Sequence, residues 1–372
     1  MVHKLNILFL ANAFKNHFTS LEVIKSIKHG VTCLNDTVDF RFIPIADGGD
    51  SSLASIKNCL GGKIMNLEVI GPINHKVTTS YLLHNNIAYI ELASICGMSK
   101  VNKINSYTAL YSHTYGLGQV ICDTIKYRPK KIIINLGGSI STDGGSGALS
   151  ALGLEFYDRH NNRVNHGGCY LRDINFLVND VFLPRIDFVI ACDVTNPLLG
   201  KHGTAQVFAA QKGASLDDIN ILELGLKNYA KLLVHEYKID FTQSPGAGAA
   251  GGTGFGLMTA LKAEYVSGFD YIADLYNLDA LIQESDLVIT TEGVVDYQSM
   301  NGKATGEIAK LCQKLEKDLY IICAYNHFTD NYEQLGISAI HALCTKSKPI
   351  ADFNDLAMAG YNLISQYVQS KS

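Results

Sequence analysis

Apolar and polar positions follow two different rhythms along this chain. At the amino end, "LNILFLA" at residues 5–11 is a short, nearly continuous apolar run, as expected of a strand covered on both faces. "SLEVIKSIKHGV" follows, with Leu21, Ile24 and Ile27 at helical spacing and a stop at Gly30. A second strand, "VDFRFIPIA", and a second helix, "DSSLASIKNCL", fill the rest of residues 1–65. The same rhythm returns over 285–372. There "DLVITTE", "DLYIICAY" and "SAIHALC" read as strands, "GKATGEIAKLCQKLE" and "NYEQLG" as helices, and "DFNDLAMAGYNLISQYVQS" as a terminal amphipathic helix. Residues 66–284 are different. They open with "LEVIGPINHKVTTSYLLHNNIAYIEL", alternating stretches broken by Gly-Pro and Asn-Asn, which predict antiparallel or mixed strands. The pattern predicts one parallel α/β domain, 1–65 with 285–372, interrupted by a second, mixed α/β domain at 66–284.

Composition narrows the partners. The 372 residues are 47% hydrophobic and 18% charged, with a net charge of −4 and no block of Lys or Arg. That argues against nucleic acid or an anionic membrane as the main partner. The nine cysteines are scattered without a CxxC, which predicts reduced thiols and a cytoplasmic protein. "MVHKLNILFLANA" has the look of a signal peptide, but its uninterrupted apolar run covers only Ile7–Ala11, so a first strand is the expectation. No apolar run approaches the ~20 residues that span a bilayer.

Parallel sheets bind ligands beyond the carboxyl ends of their strands, and here those ends carry polar clusters. "FIPIADGGDSS" places Asp47, Gly48 and Gly49 at a strand end, either as a turn with a helix cap or as a ligand-facing loop. "LGGSISTDGGSG" at 136–147 offers Gly137, Gly138, Ser139, Thr142, Asp143, Gly144 and Gly145 ahead of "ALSALGLEFY", read as a helix. Asp193 follows the apolar strand "FVIAC", with Asn196, Lys201 and Lys212 further on; a carboxylate there suits Mg2+ or a hydroxyl proton. "TEGVVDYQSMNGK" gathers Glu292, Asp296, Gln298 and Lys303, a set suited to phosphoryl transfer. "GAGAAG" at 246–251 matches GxGxxG formally, but no strand precedes it. Gly251 and Gly252 lead into a helix that could hold an anion, whereas a dinucleotide fold is not supported. No Walker loop, HExxH or GxSxG occurs.

Taken in order, "FK" at 14–15, "PIADGG" at 44–49, "GP" at 71–72, "YGLGQ" at 115–119, "GGSISTDGGSG" at 137–147, "CDVTNPLLG" at 192–200, "QKGA" at 211–214, "GAAGGTG" at 248–254 and "TEGVVDYQ" with "GK" at 291–303 resemble the type I glycerate kinase family over nearly the whole chain. The resemblance implies a flavodoxin-like domain interrupted by a second α/β domain, with the active site in the cleft. It implies transfer of the γ-phosphoryl group of ATP to D-glycerate, with Mg2+, giving 2-phosphoglycerate. Lys15, Asp193, Asp296 and Lys303 would be the catalytic set, and Asp193 and Asp296 the metal carboxylates. The glycine loops would cradle phosphates or substrate oxygens. ATP and D-glycerate are then the partners; a homodimer is allowed by the sequence and not demanded by it.

The chain departs from the family pattern in several places. Where the family's first strand ends Pro-Asp-Ser-Phe-Lys, this chain has Ala11-Asn12-Ala13-Phe14-Lys15. Asp50-Ser51 stand for Glu-Gly, Thr291 and Val294 for the first Gly and the Arg of "GEGR", and Thr305 for Pro. Arg is the residue best shaped to grip a carboxylate, and no Arg follows Arg185. The departures therefore predict relaxed or changed substrate choice, or a weakened paralogue that binds nucleotide or another hydroxy acid.

Overall fold

The computed structural model describes residues 4–14, 17–34, 38–46, 49, 51–181, 183–297, 299–300, 303–328, 332–345 and 350–371. In chain order its strands are β1 (Leu5–Ala11), β2 (Val38–Pro44), β3 (Lys63–Ile70), β4 (Lys76–His84), β5 (Ile87–Glu91), β6 (Lys131–Asn135), β7 (Leu154–Tyr157), β8 (Phe176–Asn179), β9 (Asp187–Ala191), β10 (Glu264–Val266), β11 (Leu287–Val295), β12 (Asp318–Asn326) and β13 (Ala339–Ala342).

By contact density the chain divides into two units. The first comprises Met1–Asp47, Ala54–Cys59 and Phe269–Ser372. Its five strands are all parallel, in the order β13-β12-β11-β1-β2. Counted within the unit this is 2-1-3-4-5, the flavodoxin-like order. The register sets Ile7 against Leu287 and Phe40, so β1 sits between strands from opposite ends of the chain. Ile7, Phe9, Leu287, Ile289 and Ile322 lie under the helices Ser20–Val31 and Phe353–Lys371, which supply Val23, Ile27, Leu356 and Ile364 to the same core. The first helix differs from the expected spacing in two ways. Leu21 is largely exposed, and the buried face is Val23, Ile24, Ile27 and Val31. Gly30 does not stop the helix. It lies inside it, where a Cβ would meet the Ala357 carbonyl oxygen at 2.1 Å, so the terminal helix can cross only over a glycine.

The second unit comprises Gly48–Leu53 and Leu60–Gly268. Its sheet has the order β10-β9-β6-β5-β4-β3, with β3, β4 and β5 antiparallel and the remainder parallel. The β4–β5 turn is Asn85-Asn86, both at positive φ (46° and 62°), as the tightest hairpins require. Residues 146–157 are not one helix: Ser146–Ala151 is helical, and the chain then turns and returns as β7, which pairs antiparallel with β8. A helix of six residues followed by a four-residue strand leaves too short a period for either to be read from spacing.

Candidate functional site

The two strand-end clusters are built on different principles. In the first unit, β1 and β11 are the neighbours at which the strand order reverses. Asn12 lies just beyond β1, and Thr291 and Glu292 lie within β11. Thr291 Oγ1 donates to the Asn12 carbonyl at 2.7 Å and accepts from the Asn12 N–H at 2.9 Å. The Asn12 side-chain amide donates to Glu292 Oε2 at 3.2 Å, and Thr305 Oγ1 donates to the same oxygen at 2.9 Å. The Gly293 N–H reaches Glu292 Oε1 at 3.1 Å. Glu292 is therefore a buried carboxylate, 7% exposed, fixed by donors from three segments. The two side-chain partners lie outside the local motif: Asn12 is 280 positions away and Thr305 is 13.

Asp296 follows β11 and is half-buried. Its Oδ1 accepts from the Ser299 N–H at 2.8 Å and lies 3.0 Å from Ser299 Oγ, which also reaches the Val294 carbonyl at 2.7 Å. Lys303, half-buried, opens the helix Ala304–Lys314. A cavity of about 300 Å³ lies at these strand ends, with Phe14, Phe18, Glu292, Val294, Asp296, Lys303, Tyr325 and Ile350 in its lining. A broader depression of about 430 Å³, beside Cys312, Lys317 and Glu333, lies at the amino ends of β12 and β13, away from every motif. Lys15, Asp47, Gly48 and Gln298 lie outside the described residues.

In the second unit the loop at 137–147 is folded onto itself. Asp143 is fully buried. Its Oδ2 accepts from Thr114 N–H (2.9 Å), Thr114 Oγ1 (2.8 Å) and Gly147 N–H (3.1 Å), and its Oδ1 accepts from Gly145 N–H (3.3 Å). That carboxylate ties together the starts of the helices Tyr115–Ile125 and Ser146–Ala151. Ser139 and Ser141 pair through their hydroxyls at 2.8 Å, and the buried Lys212 ammonium donates to the Ser141 carbonyl at 2.5 Å. Burial pulls the Lys212 pKa down to about 8, although Asp143 and Cys96 oppose the shift. Thr142 Oγ1 is buried without a hydrogen-bond partner among the described residues. Gly137 and Gly138 are half-buried, so the accessible backbone is at the start of the loop.

Residues 250–252 all take positive φ and press against this loop: Gly144 N–H donates to Gly251 O at 2.9 Å, and a Cβ on Gly251 would meet Ser141 O at 2.1 Å. Gly251 and Gly252 thus serve close packing between two segments of the unit. Gly49 O accepts from both Ser52 N–H and Ser52 Oγ, capping a helix start.

Asp193, half-buried beyond β9, accepts at Oδ1 from Ser267 Oγ at 2.9 Å, and Ser267 itself follows β10. Asn196 is a loop organiser: its side chain donates to His202 O, and its carbonyl accepts from Gly248 N–H, both at 2.9 Å. Ser267 carries no motif and could not be found by spacing. The same holds for His113, whose pKa falls to about 4 because of burial, against the pull of Asp143 and with the help of His166.

The Glycerate kinase family profile matches residues 7–367. The chain is 33% identical over 349 residues to the glycerate 2-kinase of Escherichia coli (strain K12), covering 92% of this chain and 91% of that one. It is 31% identical over 365 residues to a glycerate kinase of Halalkalibacterium halodurans, covering 97% and 95%. A solved structure from Salmonella typhimurium LT2, assigned as a glycerate kinase 2, superposes with a TM-score of 0.80 at 29% identity, covering 99% of this chain and all of that one.

The chain belongs to the glycerate kinase family.

It is thereby an enzyme of the kinase class. Three of the departures from the glycerate kinase pattern, at Asn12, Thr291 and Thr305, prove to be one hydrogen-bonded cluster around Glu292. Val294, another departure, stands apart: it is 37% exposed and lines the cavity. Among the described residues no helix is long and apolar enough to cross a membrane.

Proposed function

We propose that this glycerate kinase family member transfers the γ-phosphoryl group of ATP to the 2-hydroxyl of D-glycerate, giving 2-phosphoglycerate and ADP. The observation that carries the reading is the family match across 7–367, together with a 33% identical relative named glycerate 2-kinase. In the step, the acceptor oxygen forms a bond to the γ-phosphorus, the bond from that phosphorus to the bridging oxygen breaks, and the hydroxyl proton leaves to a carboxylate. Asp193 and Asp296 sit at strand ends with the chemistry to orient that hydroxyl and take its proton. Lys303, and Lys15 by the family pattern, would offset phosphate or substrate charge.

Mg2+ fits the residues present. No group of three metal-ligating side chains occurs among the described residues. Mg2+ needs none, since it is held by one or two carboxylates, with water and substrate phosphates completing its shell. Each unit supplies one strand-end carboxylate, Asp296 in the first and Asp193 in the second; either would hold Mg2+, whose chemistry there would be to neutralise the phosphate oxygens.

Coupled measurement of ADP release with D-glycerate tests the reading, and product analysis separates 2- from 3-phosphoglycerate. Acid-dependent ADP release giving the 2-phosphate is the expected result. A second reading, a weakened or retargeted paralogue, is favoured by Val294 where the family carries Arg. Nucleotide binding without D-glycerate turnover would select it.

A further inference from the structure

We infer that the cavity of the first unit receives the nucleoside end of the phosphoryl donor, not the acceptor acid. The inference rests on the kinase reading and names which substrate this pocket serves. Its position is the first ground. Phe14 lies beyond β1, Glu292 and Val294 in β11, and Tyr325 in β12, so the cavity opens at the carboxyl ends around the β1/β11 reversal point. That is where sheets of this order take their ligands.

Its walls are the second ground. Phe14 and Phe18 meet edge to face with ring centroids 6.4 Å apart, and Val294, Tyr325 and Ile350 extend an apolar lining. A three-carbon hydroxy acid has almost no apolar surface to place against these side chains. A planar base does, and a volume of about 300 Å³ is at the size expected for a small-molecule site. The polar groups are the third ground. Glu292 is an acceptor suited to a ribose hydroxyl, which can donate to it, and is ill matched to a substrate carboxylate. Lys303, in the same lining, offers its charge to the phosphate chain as it leaves the sugar.

This changes the meaning of Val294. An arginine there would bring a guanidinium into the nucleoside pocket, whereas valine leaves that wall apolar. The substitution then alters how the donor is held, and the grip on the acid lies elsewhere.

The chain contains no tryptophan, so Phe18→Trp gives the full-length protein a single fluorescent reporter in the lining. Titration with adenosine is expected to shift its emission saturably, while D-glycerate at the same concentrations leaves it unchanged. A response to D-glycerate alone, or to neither compound, overturns the inference. Val294→Phe narrows the cavity at a partly exposed position, and it is expected to raise KM for ATP at least fivefold with KM for D-glycerate within twofold. The reverse pattern overturns the inference while leaving the kinase reading intact. Should D-glycerate not be turned over at all, the kinase reading falls, and the adenosine titration still decides the pocket.

Discussion

Glu292 is a buried acid whose surroundings depart from the family pattern at three positions. In this chain the Asn12 amide and the Thr305 hydroxyl donate to it, and the Thr291 hydroxyl holds the Asn12 backbone, where the family pattern has a carboxylate, a proline and a glycine. Asn12→Asp would replace a donor to Glu292 by a second carboxylate. It is expected to cost about 1–3 kcal/mol at pH 8, by denaturant unfolding. Two carboxylates at hydrogen-bond distance hold a proton more readily than either does unfolded, so the deficit should narrow as the pH falls towards 5. Lys212 gives the opposite pH signature. Its folded pKa, about 8, lies below the ordinary value of 10.5, because burial disfavours the charged ammonium. Between those values the unfolded chain binds more protons, so this group adds stability as the pH rises from 8 to 10.5. Lys212→Met should flatten that rise in pH-dependent unfolding and destabilise the protein at pH 7, since Ser141 O loses its donor. Residue types at strand ends were legible in the sequence; their employment was not. Asp143 reads as a ligand-facing carboxylate, yet it is internal, because its donors at Thr114, 29 positions away, become neighbours only in the folded unit.

At the scale of elements, legibility followed length and burial. β1, β11 and β12 were readable because each is a largely buried apolar run, β2 because its apolar positions alternate with the exposed Asp39 and Arg41, and the long terminal helix because its period persists. The short return from the helix Ser146–Ala151 to β7 was not, and neither was the face of the first helix, where Leu21 points to solvent. The segment at 248–252 illustrates a different limit. Its glycines are a requirement of packing, as two stretches of backbone approach more closely than a Cβ permits. Gly251→Ala must meet both a positive φ of 68° and the Ser141 carbonyl oxygen. It is expected to cost about 3 kcal/mol or more in thermal or denaturant unfolding. A silent Gly251→Ala would show that the two segments can separate.

At the scale of the molecule, all nine cysteines are free, as their scatter predicts. Only Cys33 and Cys122 are exposed, so a thiol reagent should titrate these two rapidly in the native protein and the rest on a slower timescale or after unfolding. Cys122 should be the slower of the pair, because partial burial pushes its pKa up and its thiol donates to Ala151 O. A faster reaction at Cys122, read by mass spectrometry of the labelled peptides, would contradict this.

The placement of β1 has a consequence for how the protein is made. One of its two partners, β2, is synthesised within about 30 residues, but the other, β11, leaves the ribosome some 280 residues later. The second unit is nearly continuous and has all its strands in hand by Val266. Synthesis thus favours a folding order in which the interrupting segment matures while the amino-terminal strands still wait, half-paired, for the rest of their sheet. A released fragment of residues 1–280 should resist protease over 60–268 and be cut freely before it.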